Sequence, residues 1–227
     1  MTDLVLHFAP GSCSRVPLIA LIETGAPFET ALMRFGKGQS RSPEYRRLNP
    51  KGKIPLLVVD GEPLTENVAI QSFLNGLFPE AHLLPPTTDP LERARQIADL
   101  CFCSATLHPV VTRIRMPARF ATPDGARSVH DKSIEAMHEH FALIEDRLAH
   151  GPWWYGAAWS VMDAYLGWVF GRVEDTEFPV AGYPRFADHH RRLMARPAVQ
   201  RALEIEAEAN AILKAEGLEF KPPPVPA

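Results

Sequence analysis

Three cysteines among 227 residues are too few for a disulfide framework. Two of them, Cys101 and Cys103, fall two residues apart in a helical stretch. That spacing puts them on opposite sides of a helix, where they do not readily share a metal or a disulfide. Positive charge is not in excess: 24 Lys and Arg stand against 27 Asp and Glu, a net charge of −3. A nucleic-acid partner, which calls for a basic stripe, is therefore not expected. The doublets Arg46-Arg47 and Arg191-Arg192 read as solvated faces. No apolar run reaches membrane-spanning length, and the N-terminus has no basic segment followed by a long apolar one. The expectation is a cytoplasmic protein without a membrane partner. No internal repeat is visible. The hydrophobic fraction, 46%, is ordinary for a globular chain of one large or two small domains.

Proline is plentiful, and it divides the chain. The first 80 residues alternate between strand-like and helix-like stretches. Strands are expected at 4–8, 28–34, 55–59 and 62–64, with Asp60-Gly61 as a hairpin turn. Helices are expected at 15–24, 42–48 and 68–77. The order is βαβαββα. Pro79, Pro85, Pro86 and Pro90 then mark a stretch with no periodic element, read as a linker over 81–90. Beyond it, apolar residues at 3–4 spacing predict helices at 91–116, 126–148, 160–173, 184–194 and 197–213. The end, Lys221-Pro222-Pro223-Pro224-Val225-Pro226-Ala227, suits neither helix nor central strand and reads as a tail. The domains are thus 1–80, a linker 81–90, and an all-helical 91–227.

The most informative residue is Cys13. It follows the apolar run 4–8 and Pro10-Gly11, and precedes the helix from Arg15. At a helix N-terminus, free N–H groups and the dipole favour a thiolate. The alternative is a small hydrophobe packed at a strand–helix junction. Three other runs carry chemistry. Asn49-Pro50-Lys51-Gly52-Lys53-Ile54-Pro55 ends in an X-Pro bond, the type for which cis is affordable. Leu64-Thr65-Glu66-Asn67-Val68-Ala69-Ile70 opens a helix with groups suited to an anion or to capping. Ser160-Val161-Met162-Asp163 before an apolar run is a capping box with Asp in the Glu position.

These runs, over nearly the whole chain, resemble the glutathione transferase superfamily. Pro10-Gly11-Ser12-Cys13-Ser14 is similar to the Pro-Gly-x-Cys-Ser run of the bacterial beta-class enzymes, in which the cysteine lies beside the glutathione sulfur. The tyrosine that precedes the cysteine in that class is Phe8 here. The resemblance therefore leaves activation of the thiol to Cys13 or Ser14. It implies a thioredoxin-like α/β N-terminal domain and an all-α C-terminal domain. It also implies a cis Ile54-Pro55 bond, and glutathione held as co-substrate by Lys53, Ile54, Pro55, Glu66 and Asn67, without a metal. Lys37 and His108 are further glutathione candidates; the lysine that follows the histidine in the beta class is Pro109 here, a residue that threatens the helix. Leu107, Val111, Met116 and Phe120 are the candidates for a small hydrophobic electrophile, with Trp153-Trp154-Tyr155 behind them. The capping box is assigned to folding.

The activity implied is a glutathione transferase-like reaction on a small apolar electrophile, in a homodimer. Monothiol thiol–disulfide exchange through Cys13 is the alternative, since the run Cys13-Ser14-Arg15-Val16 lacks the second cysteine of a dithiol motif. A non-catalytic binding or regulatory protein of the same fold is the third reading. Such a protein would tend to lose Glu66 or the Ile54-Pro55 pair, and both are present.

Overall fold

The computed structural model describes residues 2–220; the stretch read as a proline-rich tail, 221–227, lies outside them. The chain forms two compact units, residues 2–83 with Ala195–Phe220, and Leu84–Met194.

In the first unit four strands form a mixed sheet in the order β2-β1-β3-β4. They are β1 (Leu4–Phe8), β2 (Glu29–Leu32), β3 (Leu56–Val59) and β4 (Glu62–Thr65). β1 runs parallel to β2 and antiparallel to β3, and β3 antiparallel to β4. Alternation of apolar residues buries Leu4, Leu6 and Phe8 on one face, as a half-buried strand should. Helix α1 (Arg15–Thr24) ends at Gly25, whose φ of 67° and N–H to the Ile22 carbonyl form a left-handed C-terminal cap. Helix α2 (Pro43–Leu48) is capped by Ser42, and α3 (Asn67–Leu77) follows β4. The expected strand 28–34 is shorter at both ends.

The last helix, α9 (Pro197–Ala215), belongs to this unit, whereas the sequence reading grouped it with the helical domain. Two ion pairs join the helix and the residue before it to α1, beside the buried Ala198, Val199, Ala202, Ala209 and Leu213 of α9. The Arg15 guanidinium donates to Glu206 at 3.1 and 2.5 Å, and Arg196 donates to Glu23 at 2.7 Å. Glu206 is only 4% exposed, so its charge requires the arginine opposite.

The second unit is helical: α4 (Pro90–Cys101), α5 (His108–Arg115), α6 (Pro123–Arg147), α7 (Val161–Val173) and α8 (Pro184–Met194). The single helix expected over 91–116 is instead α4 and α5 joined by a π-helical segment, Phe102–Leu107. Pro109 explains it. Proline has no N–H for the carbonyl four residues back, and a widened turn absorbs the mismatch. Phe141, Phe170, Phe178 and Phe186 form an aromatic core, with centroids 4.6–6.1 Å apart.

Helix α7 is buried along most of its length, so its first turn cannot rely on water. The capping box meets that need. Asp163 accepts from the Ser160 N–H at 2.9 Å and the Ser160 hydroxyl at 3.0 Å. It also accepts from the Trp154 N–H at 2.7 Å and from His189 Nε2 at 2.9 Å. Among the described residues, no helix is long and apolar enough to cross a membrane.

Candidate active site

Strand direction gathers the candidate residues. His7 pairs with Leu56 and Leu56 with Thr65, so the end of β1, the start of β3 and the end of β4 lie at one end of the sheet. The segments just beyond those points carry Cys13, Ile54-Pro55 and Glu66-Asn67. Because β2 is parallel to β1, with Phe8 opposite Leu32, Met33 and Arg34 emerge at the same end. Met33 packs with Ala9, Tyr45 and Leu56, and with Ile54 against them.

The Ile54-Pro55 bond is cis. The Lys53 carbonyl accepts from Tyr45 Oη and from Asn49 Nδ2, both at 2.7 Å, which fixes the main chain entering Ile54. Gly52, at φ 63°, is required here: a Cβ would come 2.6 Å from the Ser40 carbonyl oxygen. The Lys53 side chain is exposed.

Cys13 lies just before α1, as the sequence implied, with its Sγ 3.9 Å from the Ile54 carbonyl oxygen. The expectation of a thiolate does not hold. Cys13 is 8% exposed, and burial pushes its thiol up to about 12, against the smaller opposing effect of the Asn67 amide. Removing a thiolate from water outweighs the helix dipole. At neutral pH the sulfur is an S–H donor.

Two further assignments are corrected. Ser14 is fully buried. Its hydroxyl lies 2.6 Å from the Ser12 hydroxyl, takes the Ala9 N–H at 3.2 Å and reaches the Ala9 carbonyl at 3.3 Å. It clips the 9–14 turn and is not free to activate a thiol. The Asn67 side chain is likewise engaged, donating to the Cys13 carbonyl at 2.8 Å and accepting from Gln71 at 3.2 Å. What Asn67 offers a ligand is its main-chain N–H, one of the helix-opening donors without an intrahelical acceptor. Glu66 precedes it at φ 74°, with an exposed carboxylate. That backbone conformation is uncommon for a non-glycine residue.

Lys51, not singled out from the sequence, places its ammonium 2.5 Å from Glu66 and 2.8 Å from the Thr65 hydroxyl. Its position in the Asn-Pro-Lys-Gly run was the available signal. Lys37 is 2.7 Å from Glu216, beside Arg34. Phe8 is 2% exposed and is a core residue.

The residues expected to meet an electrophile differ widely in exposure. Leu107 and Val111 are core side chains at 0% and 2% exposure. Phe120 is exposed, with the Arg113 guanidinium 5.4 Å from its ring, and Met116 caps α5 half-buried. His108 Nδ1 is 3.2 Å from Tyr165 Oη, and its ring packs 4.6 Å from Trp168. Trp154 and Tyr155 border a cavity of about 650 Å³ with Arg95, Gln96 and Arg147. Their indole N–H and hydroxyl both donate to Asp99, at 3.0 and 2.9 Å.

The thiol chemistry gives a direct test. In the ligand-free protein at pH 7.5, alkylation should mark exposed Cys101 first, with Cys13 reacting at least roughly a hundredfold more slowly than an ordinary thiol. The Cys13 rate should keep rising through pH 10, because its thiolate is the disfavoured form. Peptide mass spectrometry after timed iodoacetamide treatment measures both. A plateau for Cys13 below pH 9 would contradict its burial.

A mixed four-stranded sheet with a cis-proline loop at one end, together with a helical unit, defines a thioredoxin-like domain joined to an all-helical one. The model of the glutathione S-transferase N-terminal domain matches residues 4–76, and that of the C-terminal domain matches 127–192. The chain belongs to the glutathione S-transferase family. It is 30% identical over 203 residues to glutathione S-transferase GstA of Escherichia coli O157:H7, covering 88% of this chain and 98% of that one. A sphingomonad glutathione S-transferase solved in complex with glutathione is 33% identical, with a TM-score of 0.79 over 89% of this chain and 98% of that chain. The bacterial beta-class enzyme of Sphingomonas chungbukensis is 31% identical, with a TM-score of 0.78 over 89% and 98%.

Proposed function

We propose that the protein binds glutathione along Lys53, Ile54, Pro55, Glu66 and Asn67 and directs its thiolate onto a small apolar electrophile. The observation that carries this is the meeting of three distant segments: the Cys13 sulfur near the Ile54 carbonyl, with the Asn67 amide bonded to the Cys13 carbonyl. The main-chain edge at Ile54 suits the peptide backbone of glutathione. The open N–H groups from Asn67 onward suit its γ-glutamyl carboxylate. The exposed Glu66 carboxylate suits its ammonium.

The role of Cys13 follows from its protonation. A neutral S–H donates a hydrogen bond, and the acceptor it favours is an anionic sulfur. Cys13 thus stabilises the glutathione thiolate rather than attacking as one. This weighs for conjugation over monothiol exchange, which needs the Cys13 thiolate. The retained Glu66 and Ile54-Pro55 weigh against a purely non-catalytic role. A homodimer working in the cytoplasm fits the same reading; light scattering on the purified chain would measure the mass.

Cys13→Ala tests it. Glutathione affinity by calorimetry should change less than about threefold, and turnover of a generic aryl halide at pH 6.5 should fall about tenfold, the worth of one hydrogen bond to a charged acceptor. The rate should recover as pH rises and glutathione ionises unaided. If the variant loses glutathione binding altogether, Cys13 holds the site together instead of tuning it. If oxidised glutathione rapidly forms a mixed disulfide with Cys13 at neutral pH, the exchange reading replaces conjugation.

A further inference from the structure

The end of α9 carries a carboxylate where the helix itself disfavours one. Glu216 caps the C-terminus, the negative end of the dipole, a position that suits cations. The backbone there is fixed: the Gly217 N–H bonds to the Lys214 carbonyl at 3.1 Å and the Leu218 N–H to the Leu213 carbonyl at 2.8 Å. Gly217 has φ 70°. This is a Schellman ending, and it makes the placement of Glu216 rigid.

The carboxylate has two partners on the segment after β2. Arg34 Nε is 2.9 Å from both carboxylate oxygens, and Arg34 Nη2 is 2.8 Å from Oε1. Lys37 Nζ is 2.7 Å from Oε2. Leu218 closes the contact, so near that a Cβ on Gly36 would come 2.9 Å from its Cδ2. Arg34 leaves the sheet beside the Cys13 and Ile54 segments, directly after Met33, which packs with Ala9 and Ile54. A fork of two cations at that end of the sheet is a carboxylate receptor, and α9 supplies the carboxylate.

We propose that Glu216 is a built-in competitor for glutathione: it occupies the Arg34–Lys37 cation pair that would otherwise receive the glycyl carboxylate of the tripeptide. This rests on the glutathione site proposed above and adds its regulation. The ion pair is solvent-accessible, with Arg34, Lys37 and Glu216 side chains 33%, 56% and 26% exposed, so an incoming carboxylate can exchange with it. Acid is not the release signal. Arg34 and Lys37 hold the Glu216 carboxyl down at about 2, and it stays charged at any physiological pH. Release comes from ligand.

The test compares full-length wild type with Glu216→Gln by calorimetry, using glutathione and its glycyl monoethyl ester. The ester lacks the terminal charge. Glu216→Gln should tighten glutathione about three- to fivefold, the range for an exposed ion pair, and leave the ester unchanged. Adding Lys37→Gln should erase the gain. Equal or weaker glutathione binding by Glu216→Gln overturns the proposal, as does a gain shared by the ester. If wild type and variant both fail to bind glutathione, the site itself is wrong, a result distinct from an unchanged but measurable affinity. Circular dichroism and thermal melts confirm that the variant is folded.

Discussion

Replacing Asp163 with Ala should cost the protein about 3–5 kcal/mol, the penalty for stripping one partner from a buried charged network. Asp163 is completely buried and accepts from the Ser160 N–H and hydroxyl, the Trp154 N–H and His189. A cap on a solvated helix is worth only about 1 kcal/mol. Here two main-chain N–H groups would be left in the protein interior with nothing to accept them. A domain has about 5–15 kcal/mol in total, so the urea midpoint should fall by roughly 1 M or more. His189→Ala should cost less, because it leaves the two main-chain donors satisfied. Asp163 lies in the Leu84–Met194 unit and Glu66 in the other, so glutathione affinity of the folded fraction should stay the same. An unchanged midpoint with lost turnover would make Asp163 catalytic rather than structural.

Local chemistry explains why some elements were legible from sequence. β1, α1 and α8 have the bounds that alternation, helical spacing, Gly25 and the prolines imply. The π-helical segment was not, although Pro109 announced a disturbance: a proline tells that a helix must adjust, not whether it breaks, kinks or widens. The allegiance of α9 was not legible either, because Arg15 and Glu206 are 191 residues apart. The same distance problem hid Glu216 from Lys37.

Within the candidate site, residue types were easier to read than their partners. Serine and asparagine announce a capacity to hydrogen-bond, yet nothing in the run Gly11-Ser12-Cys13-Ser14 says that Ser14 is sealed against Ala9 and Ser12. Asn67 looked like a side chain for the ligand and proved to be a brace for the Cys13 carbonyl. The position of Cys13 at a helix start was legible, and the dipole argument for a thiolate was sound as far as it went. Burial is set by packing from elsewhere in the fold, and its effect on the thiol is the larger one. Whether Cys13 is charged was therefore beyond the sequence, and with it the choice between nucleophile and hydrogen-bond donor.

Glu66→Ala should weaken glutathione binding by about 2 kcal/mol, roughly thirtyfold, the worth of a charge-assisted hydrogen bond to the ligand ammonium. The side chain is exposed, and its ion-pair partner is Lys51 at the surface. A surface pair of that kind contributes little to folding, so the thermal midpoint should barely move. Alanine also keeps the Cβ, so the φ of 74° at this position is no more strained than before. Lys51 sharpens the test. Its ammonium already sits on the carboxylate oxygen that the ligand would use, so Lys51→Ala should leave glutathione affinity equal or slightly tighter, while Glu66→Gln should fall between wild type and alanine. Calorimetry on the four proteins decides it. Unchanged affinity in Glu66→Ala would put the glutathione ammonium elsewhere. A loss as large in Lys51→Ala would mean that the pair acts as one unit, the lysine orienting the carboxylate rather than competing for it.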